Sequence, residues 1–197
     1  MKTIKLGLIL AAYAVASCFC LALINNITSP VIAKNKAGKV ADILKVVFAD
    51  ADSFEQVSDF KTGEGAAVID ALYIAKKGKN VSGAVTQITG ATYDKATILV
   101  GQDLKGTVTG VQFLELSDSP GFGQKARDPA FKVSSGKTFY EQFTGKKVKD
   151  GFVPGATFEA ISGSSITSKG VAALLSQATI TAGTYLSEKY GGEAVGN

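Results

Sequence analysis
Histidine and tryptophan are missing from this chain of 197 residues, and only two cysteines, four prolines and one methionine are present. The lack of histidine removes the commonest metal ligand and the commonest general base near neutral pH. It argues against a histidine-assisted serine hydrolase, and no Gly-x-Ser-x-Gly elbow reopens that reading. Both cysteines, Cys18 and Cys20, fall in an N-terminal apolar run. The remainder has no thiol for a disulfide, an iron–sulfur cluster or a nucleophile. A redox role therefore requires an organic cofactor or a group supplied by a partner. Charge is sparse as well: 19% of residues are charged and the net charge is +4. So small and dispersed an excess does not point to nucleic acid. Glycine is plentiful, with 22 residues. That suits a loop-rich globular domain rather than disorder, and the length leaves room for one such domain.

Residues 1–33 read as a membrane anchor. Lys2 and Lys5 precede Leu6–Ile24, 19 residues without a charge. At 1.5 Å per residue that run spans roughly 28 Å, close to the ~30 Å hydrocarbon core. Asn25, Asn26, Thr28, Ser29 and Pro30 are expected to end it. A secretory signal would have a shorter apolar region, about 7–15 residues. Val15-Ala16-Ser17-Cys18 resembles a lipoprotein cleavage box, but the apolar run continues past Cys18 to Ile24. Lysines flank the run on both sides, so their count alone does not orient it. Residues 34–60 form a juxtamembrane stretch. Val40, Ile43, Leu44, Val47 and Phe48 recur at helical spacing and predict an amphipathic helix over Lys36–Phe48 that covers the domain. Lys34–Lys39 would lie near lipid headgroups, at about 1 kcal/mol per charge.

The main domain is expected over 61–190. Short apolar or alternating runs at Ala66–Ala75, Gly83–Gln87, Ala96–Val100 and Val108–Leu116 are separated by polar, glycine-containing turns. This is a hairpin pattern. The runs Ala96–Gly101 and Gly106–Phe113 predict a hairpin at the centre of the sheet. Asp103 and Glu115 read as solvated strand ends. In Leu116–Lys125, Pro120-Gly121 predicts a tight turn, and Gly123 would let backbone approach a ligand closely. Val171, Leu174, Leu175, Ala178 and Ile180 predict a helix from Ser165 to about Lys189. The tail 191–197 is expected to fray. The fold class is therefore α+β: one N-terminal transmembrane helix, then a domain with an antiparallel or mixed sheet packed by helices.

The most concentrated chemistry lies in Phe158–Val171, where Ser162, Ser164, Ser165 and Thr167 surround Gly163 and follow Glu159. Hydroxyls at a loop-to-helix junction cap the helix by accepting bonds from its free N–H groups. The same junction gathers donors and a positive dipole end, so it also suits a phosphate. On residues alone, a plain N-cap explains the stretch.

The stretch also resembles a family signature. The flavin-binding subunits of the Rnf and Na+-translocating NADH:quinone reductase complexes carry Asp-x-x-Ser/Thr-Gly-Ala-Ser/Thr, with FMN joined to the last hydroxyl by a phosphoester. Here Glu159 stands in the acidic position, Ser162 is the first hydroxyl, Gly163 the glycine, Ser164 replaces alanine, and Ser165 is the acceptor. Two other segments end in Gly-Ala-Thr, at Thr92 and at Thr157. The residues six positions earlier, Thr86 and Gly151, are not acidic, so Ser165 ranks first, Thr92 second and Thr157 third. Leu116–Lys125 is similar to the family's second element, Glu-Thr-Pro-Gly-x-Gly, with Asp118 and Ser119 replacing Glu and Thr. Ala49–Phe54 resembles the end of the corresponding family helix.

The resemblance implies covalent FMN on Ser165. The loop Ser162, Gly163 and Ser164 would lie around the phosphate, and Ile166 and Thr167 would line the flavin. Pro120, Gly121 and Gly123 would form the opposite wall, and Glu115 and Ser119 complete the cofactor set. Glu159 would be read by the flavin transferase that attaches FMN. The resemblance further implies an electron-carrying component without catalytic residues, metal or activity of its own, within a redox-driven ion translocase. It would be a single-pass protein of the cytoplasmic membrane with the FMN domain outside, meeting other membrane and peripheral subunits. The length favours the G-type component of an Rnf ferredoxin:NAD+ oxidoreductase over its C-type homologue in the quinone reductase. A cofactor-free, membrane-tethered binding or scaffold protein remains the alternative.

Overall fold
The computed structural model describes residues 2–61 and 65–192. The tail expected to fray, 193–197, lies outside them, as do the side chains of Lys34 and Lys36 that were expected near headgroups. The chain divides into two compact units, Met1–Ala41 and Asp42–Asn197.

Helix α1 runs over Lys2–Val47 with Pro30 inside it. The polar residues expected to end the apolar helix, Asn25 to Pro30, instead continue it. A proline removes one backbone bond and crowds the carbonyl four residues back. The good helix formers on either side, such as Ala22, Leu23, Ala37 and Lys39, outweigh that local loss. Ile4–Pro30 has a mean hydropathy of 2.4 and no buried residue, and is long and apolar enough to cross a membrane. Its 27 residues would span about 40 Å at 1.5 Å each.

The second unit is a five-stranded antiparallel meander in the order β1-β2-β3-β4-β5. The strands are β1 (Ser53–Val57), β2 (Val68–Lys77), β3 (Asn80–Ala91), β4 (Lys95–Asp103) and β5 (Val108–Leu116). The hairpin expected between residues 96 and 113 is present as β4 and β5, with Val100 opposite Val111, but it lies at one side of the sheet with β5 on the edge rather than at the centre, where β3 runs. Strand β1 corrects the sequence reading, in which Ala49–Phe54 ended a helix. The helix stops at Val47, and Ser53–Val57 pairs with Leu72–Lys76. No hydrophobic period of its own marks β1, because it lies on the sheet edge and buries little.

Helix α2 (Ser165–Tyr190) packs on one face of the sheet. Leu72, Ile74 and Ala84 meet Ala182 and Leu186, while Ile88 and Ile98 join Leu174 and Leu175. Thr86 Oγ1 donates to the Ala178 carbonyl at 3.1 Å. The end of α1 lies against the other face. Gly83, Gly101 and Gly110 each leave room for Val47 or Phe48, where a Cβ would come within 3.0 Å of them. Leu44, Val47 and Phe48 are all buried, as the helical spacing predicted.

Between β5 and α2 the chain makes only short 3-10 turns, at Gly123–Arg127, Glu141–Phe143 and Val148–Asp150. Phe139, Phe143, Phe152 and Phe158 hold this stretch down, with ring centroids 5.0–6.1 Å apart and mostly edge-to-face. Each such pair contributes roughly 0.5–1.5 kcal/mol beyond burial. The stretch is thereby fixed over the sheet end from which α2 starts.

Candidate functional site
Helix α2 begins beside the β3–β4 loop, and glycine makes that approach possible. A Cβ on Gly170 would sit 2.6 Å from Thr92 Cα and 2.8 Å from the Ala91 carbonyl oxygen. The loop after β5 closes in from the other side through Gly123. A Cβ there would meet Asp118 and Thr167, all at 2.6 Å. Three segments distant in sequence thus converge on the first turn of α2.

Asp118 joins them. It is only 1% exposed. Its Oδ1 accepts from Thr92 Oγ1 at 2.6 Å and from Asp94 N–H at 2.9 Å. Its Oδ2 accepts from Thr167 Oγ1 at 2.5 Å and from Tyr93 N–H at 3.3 Å. Burial alone would push the carboxyl group up, but the bonds from Thr167, Thr92, Asp94 and Tyr93 together hold it below the usual carboxylate range.

Over this floor lies a groove of about 540 Å³, lined by Tyr93, Ser119, Phe122, Gly123 and the run Gly163–Thr167. That size falls within the ~300–1,000 Å³ common for small-molecule sites. Tyr93, Phe122 and Ile166 each leave more than half their surface exposed around it. At the helix end, the first backbone bond runs from Ser168 N–H to the Ser164 carbonyl at 3.0 Å. The N–H groups of Ser165, Ile166 and Thr167 precede that bond and are the free donors of the helix end.

The hydroxyls of the stretch have separate fates. Ser168 Oγ accepts from Ile161 N–H and donates to the Ser164 carbonyl, both at 3.0 Å, which closes the loop. Ser164 holds the N-cap position but makes no capping bond, and its buried Oγ has no partner. This corrects the plain capping reading: the hydroxyl in the cap position leaves the helix donors open. Ser165 is exposed, on the first residue of the helix, at the groove. A buried hydroxyl without a partner and open N–H donors beside an aromatic-lined groove fit a ligand with a phosphate and a flat ring.

Of the residues singled out in the sequence, Ser119, Gly123, Gly163, Ser164, Ser165, Ile166 and Thr167 come together here. Ser162 is exposed in the same loop but does not line the groove. Pro120 and Gly121 are not in the wall assigned to them; Gly121 lines a neighbouring depression with Lys125 and Arg127. The turn carries them past the groove, and Phe122 takes that place. Glu115 sits on β5 opposite Thr97, away from the groove lining. Glu159 does not line it either. Its carboxylate accepts from Ser134 Oγ at 2.6 Å and from Ser134 N–H at 2.9 and 3.0 Å, bonds that hold it below its ordinary value. The other two candidate hydroxyls are engaged. Thr92 is buried and donates to Asp118, and Thr157 Oγ1 accepts from Val153 N–H at 2.7 Å.

Sequence reasoning missed Tyr93, Phe122 and the linking role of Asp118. A large aromatic between two glycines, Gly121-Phe122-Gly123, was the available signal for Phe122. Nothing local distinguishes Tyr93, because its place depends on the β3–β4 turn facing α2.

Residues 93–180 match the FMN-binding domain family, and residues 1–47 match the RnfG N-terminal region. The G-type component of the Na(+)-translocating ferredoxin:NAD(+) oxidoreductase complex of Acetobacterium woodii is 32% identical over 85% of this chain and 85% of its own length. The G-type component of the ion-translocating oxidoreductase complex of Cereibacter sphaeroides is 27% identical over 84% of this chain and 77% of its own. With the groove inside the FMN-binding match and the apolar helix inside the N-terminal one, the chain belongs to the RnfG family, the G-type components of the Rnf ion-translocating oxidoreductases.

Proposed function
We propose that this chain is the FMN-carrying component of a membrane-bound, ion-translocating ferredoxin:NAD+ oxidoreductase, with the cofactor joined through its phosphate to Ser165 Oγ. The observation that carries the site assignment is the state of the hydroxyls. Ser165 is open at the groove and at the helix end, whereas Thr92 and Thr157 are bonded elsewhere. The free N–H groups and the Ser164 hydroxyl would receive the phosphate, and Phe122, Tyr93 and Ile166 the flat ring. Bound FMN supplies one- and two-electron redox chemistry, while the chain sets its position and surroundings. Attachment forms one O–P bond with the net loss of one water, and a flavin transferase acts as partner in that step.

Helix α1 anchors the chain in the cytoplasmic membrane, with the groove-bearing unit on the extracytoplasmic side. There a covalent bond retains a cofactor that is not resupplied. No acidic or basic residue lies between Leu6 and Ile24, so the anchor offers no ion pathway of its own. Other membrane and peripheral subunits must supply ion passage, electron donor and electron acceptor. The chain relays electrons between them without a reaction of its own.

Mass spectrometry of protein made alongside its flavin transferase should find one FMN, less water, on the Ser165 peptide. Ser165→Ala should lose in-gel flavin fluorescence. Fluorescence that survives this change would move the attachment elsewhere, and a bare Ser165 peptide in host-made protein would overturn the cofactor assignment.

A further inference from the structure
Beneath the groove lies a carboxylate with no cationic partner among the described residues. All four donors to Asp118 are uncharged: two threonine hydroxyls and two backbone N–H groups. Among the described residues, no ion pair involves this carboxylate. Tyr93 and Thr167, which line the groove, bond to it directly, and Gly123 lies over it without a side chain between. Ser119 of the lining is its neighbour in the chain. At 1% exposure the carboxylate has almost no direct contact with water, so its field at the groove is screened less than that of a surface carboxylate.

We propose that Asp118 is a positioning and potential-setting residue: a buried, unpaired negative charge beneath the groove that disfavours reduction of the flavin held there. Reduction adds electrons to the ring system, and a fixed anion close by raises the free energy of the more negative form. The midpoint potential is thereby lower than the same groove would give without that charge. The two carboxylate oxygens also divide their work. Oδ1 bonds only to the β3–β4 loop, at Thr92 and Asp94. Oδ2 bridges that loop, at Tyr93, to Thr167 in the α2 turn that carries the attachment serine, so the charge stays in fixed register with the site. This inference rests on the flavin reading above.

The test is a redox titration of the flavin-loaded full chain in detergent, comparing wild type, Asp118→Asn and Thr92→Val. Asp118→Asn removes the charge and keeps the size. Thr92→Val loosens the same bond network, lies outside the groove lining and leaves the charge in place. The expected result is a rise in midpoint potential for Asp118→Asn of at least about 30 mV, a tenfold change in the two-electron equilibrium, with Thr92→Val close to wild type. Equal shifts in both variants, or none in Asp118→Asn, overturn the proposal. Should Asp118→Asn acquire no flavin, Asp118→Glu and Thr92→Val decide. Both keep the charge, so potentials near wild type support the proposal and a shift in both overturns it. A wild-type chain without flavin is a different outcome, and it defeats the functional reading itself.

Discussion

Replacing Gly123 with alanine should destabilise this domain far more than its place in a short 3-10 turn suggests. The added methyl would lie 2.6 Å from Asp118 Cβ, Asp118 Oδ2 and Thr167 Oγ1. Comfortable contact begins near ~3.5 Å, so each neighbour must retreat by about 1 Å. Asp118 is held by four hydrogen bonds and Thr167 by its place in the helix. Overpacking of this kind costs ~1–3 kcal/mol. Separating Thr167 from the carboxylate adds ~1.5–3 kcal/mol, the usual range for a hydrogen bond to a charged group. The sum is roughly 2.5–6 kcal/mol, which at ~2–4 °C per kcal/mol lowers Tm by about 5–24 °C. Thermal unfolding of the detergent-solubilised chain, followed by circular dichroism, measures this. Gly121→Ala is the comparison, since Gly121 has φ +77° with open space around it and costs only backbone strain of ~1–2 kcal/mol. If Gly123→Ala melts within 2 °C of the wild type (about 1 kcal/mol), the close stacking of turn, carboxylate and helix is wrong.

Three further outcomes follow from the same geometry. Gly170→Ala drives a methyl into the backbone of Ala91 and Thr92; it should cost about 1–3 kcal/mol and also lower flavin loading, read as flavin absorbance per chain. Phe122→Ala removes an exposed ring, so stability should change by less than ~0.5 kcal/mol while flavin attachment or its fluorescence changes clearly. Because the carboxyl group of Asp118 is held below its ordinary value of 3.8, its contribution to stability is complete above that value. It is lost as pH falls through it towards the depressed value. The stability gap between wild type and Asp118→Asn, from denaturant melts, should therefore be constant above about pH 5 and shrink below it.

The β4–β5 hairpin, the last helix and the apolar anchor were legible because each rests on a local signal: alternation in Ala96–Phe113, a 3.6-residue period after Ser165, and an uncharged run from Leu6. Leu44, Val47 and Phe48 showed their burial through spacing in the same way. What escaped was set by distant contacts. β1 is a strand because Leu72–Lys76 offers it an edge, which the composition of Ser53–Val57 does not announce. The groove residues of Gly163–Thr167 stood out as a cluster of hydroxyls. The role of Thr167 among them depended on a distant partner, Asp118, 49 positions away. Tyr93 reached the groove only through the turn between β3 and β4.

The strand order carries a consequence for biosynthesis. Each strand pairs with the next one along, so the meander can zip together from short-range hairpins as the polypeptide emerges. Helix α2 arrives last, and its contacts reach back across about ninety positions, as between Thr86 and Ala178. Ser165 therefore gains its final surroundings only when every strand is already in place. A modifying enzyme that reads those surroundings would handle finished molecules and pass over truncated or half-formed ones, so cofactor loading would double as a checkpoint on maturation.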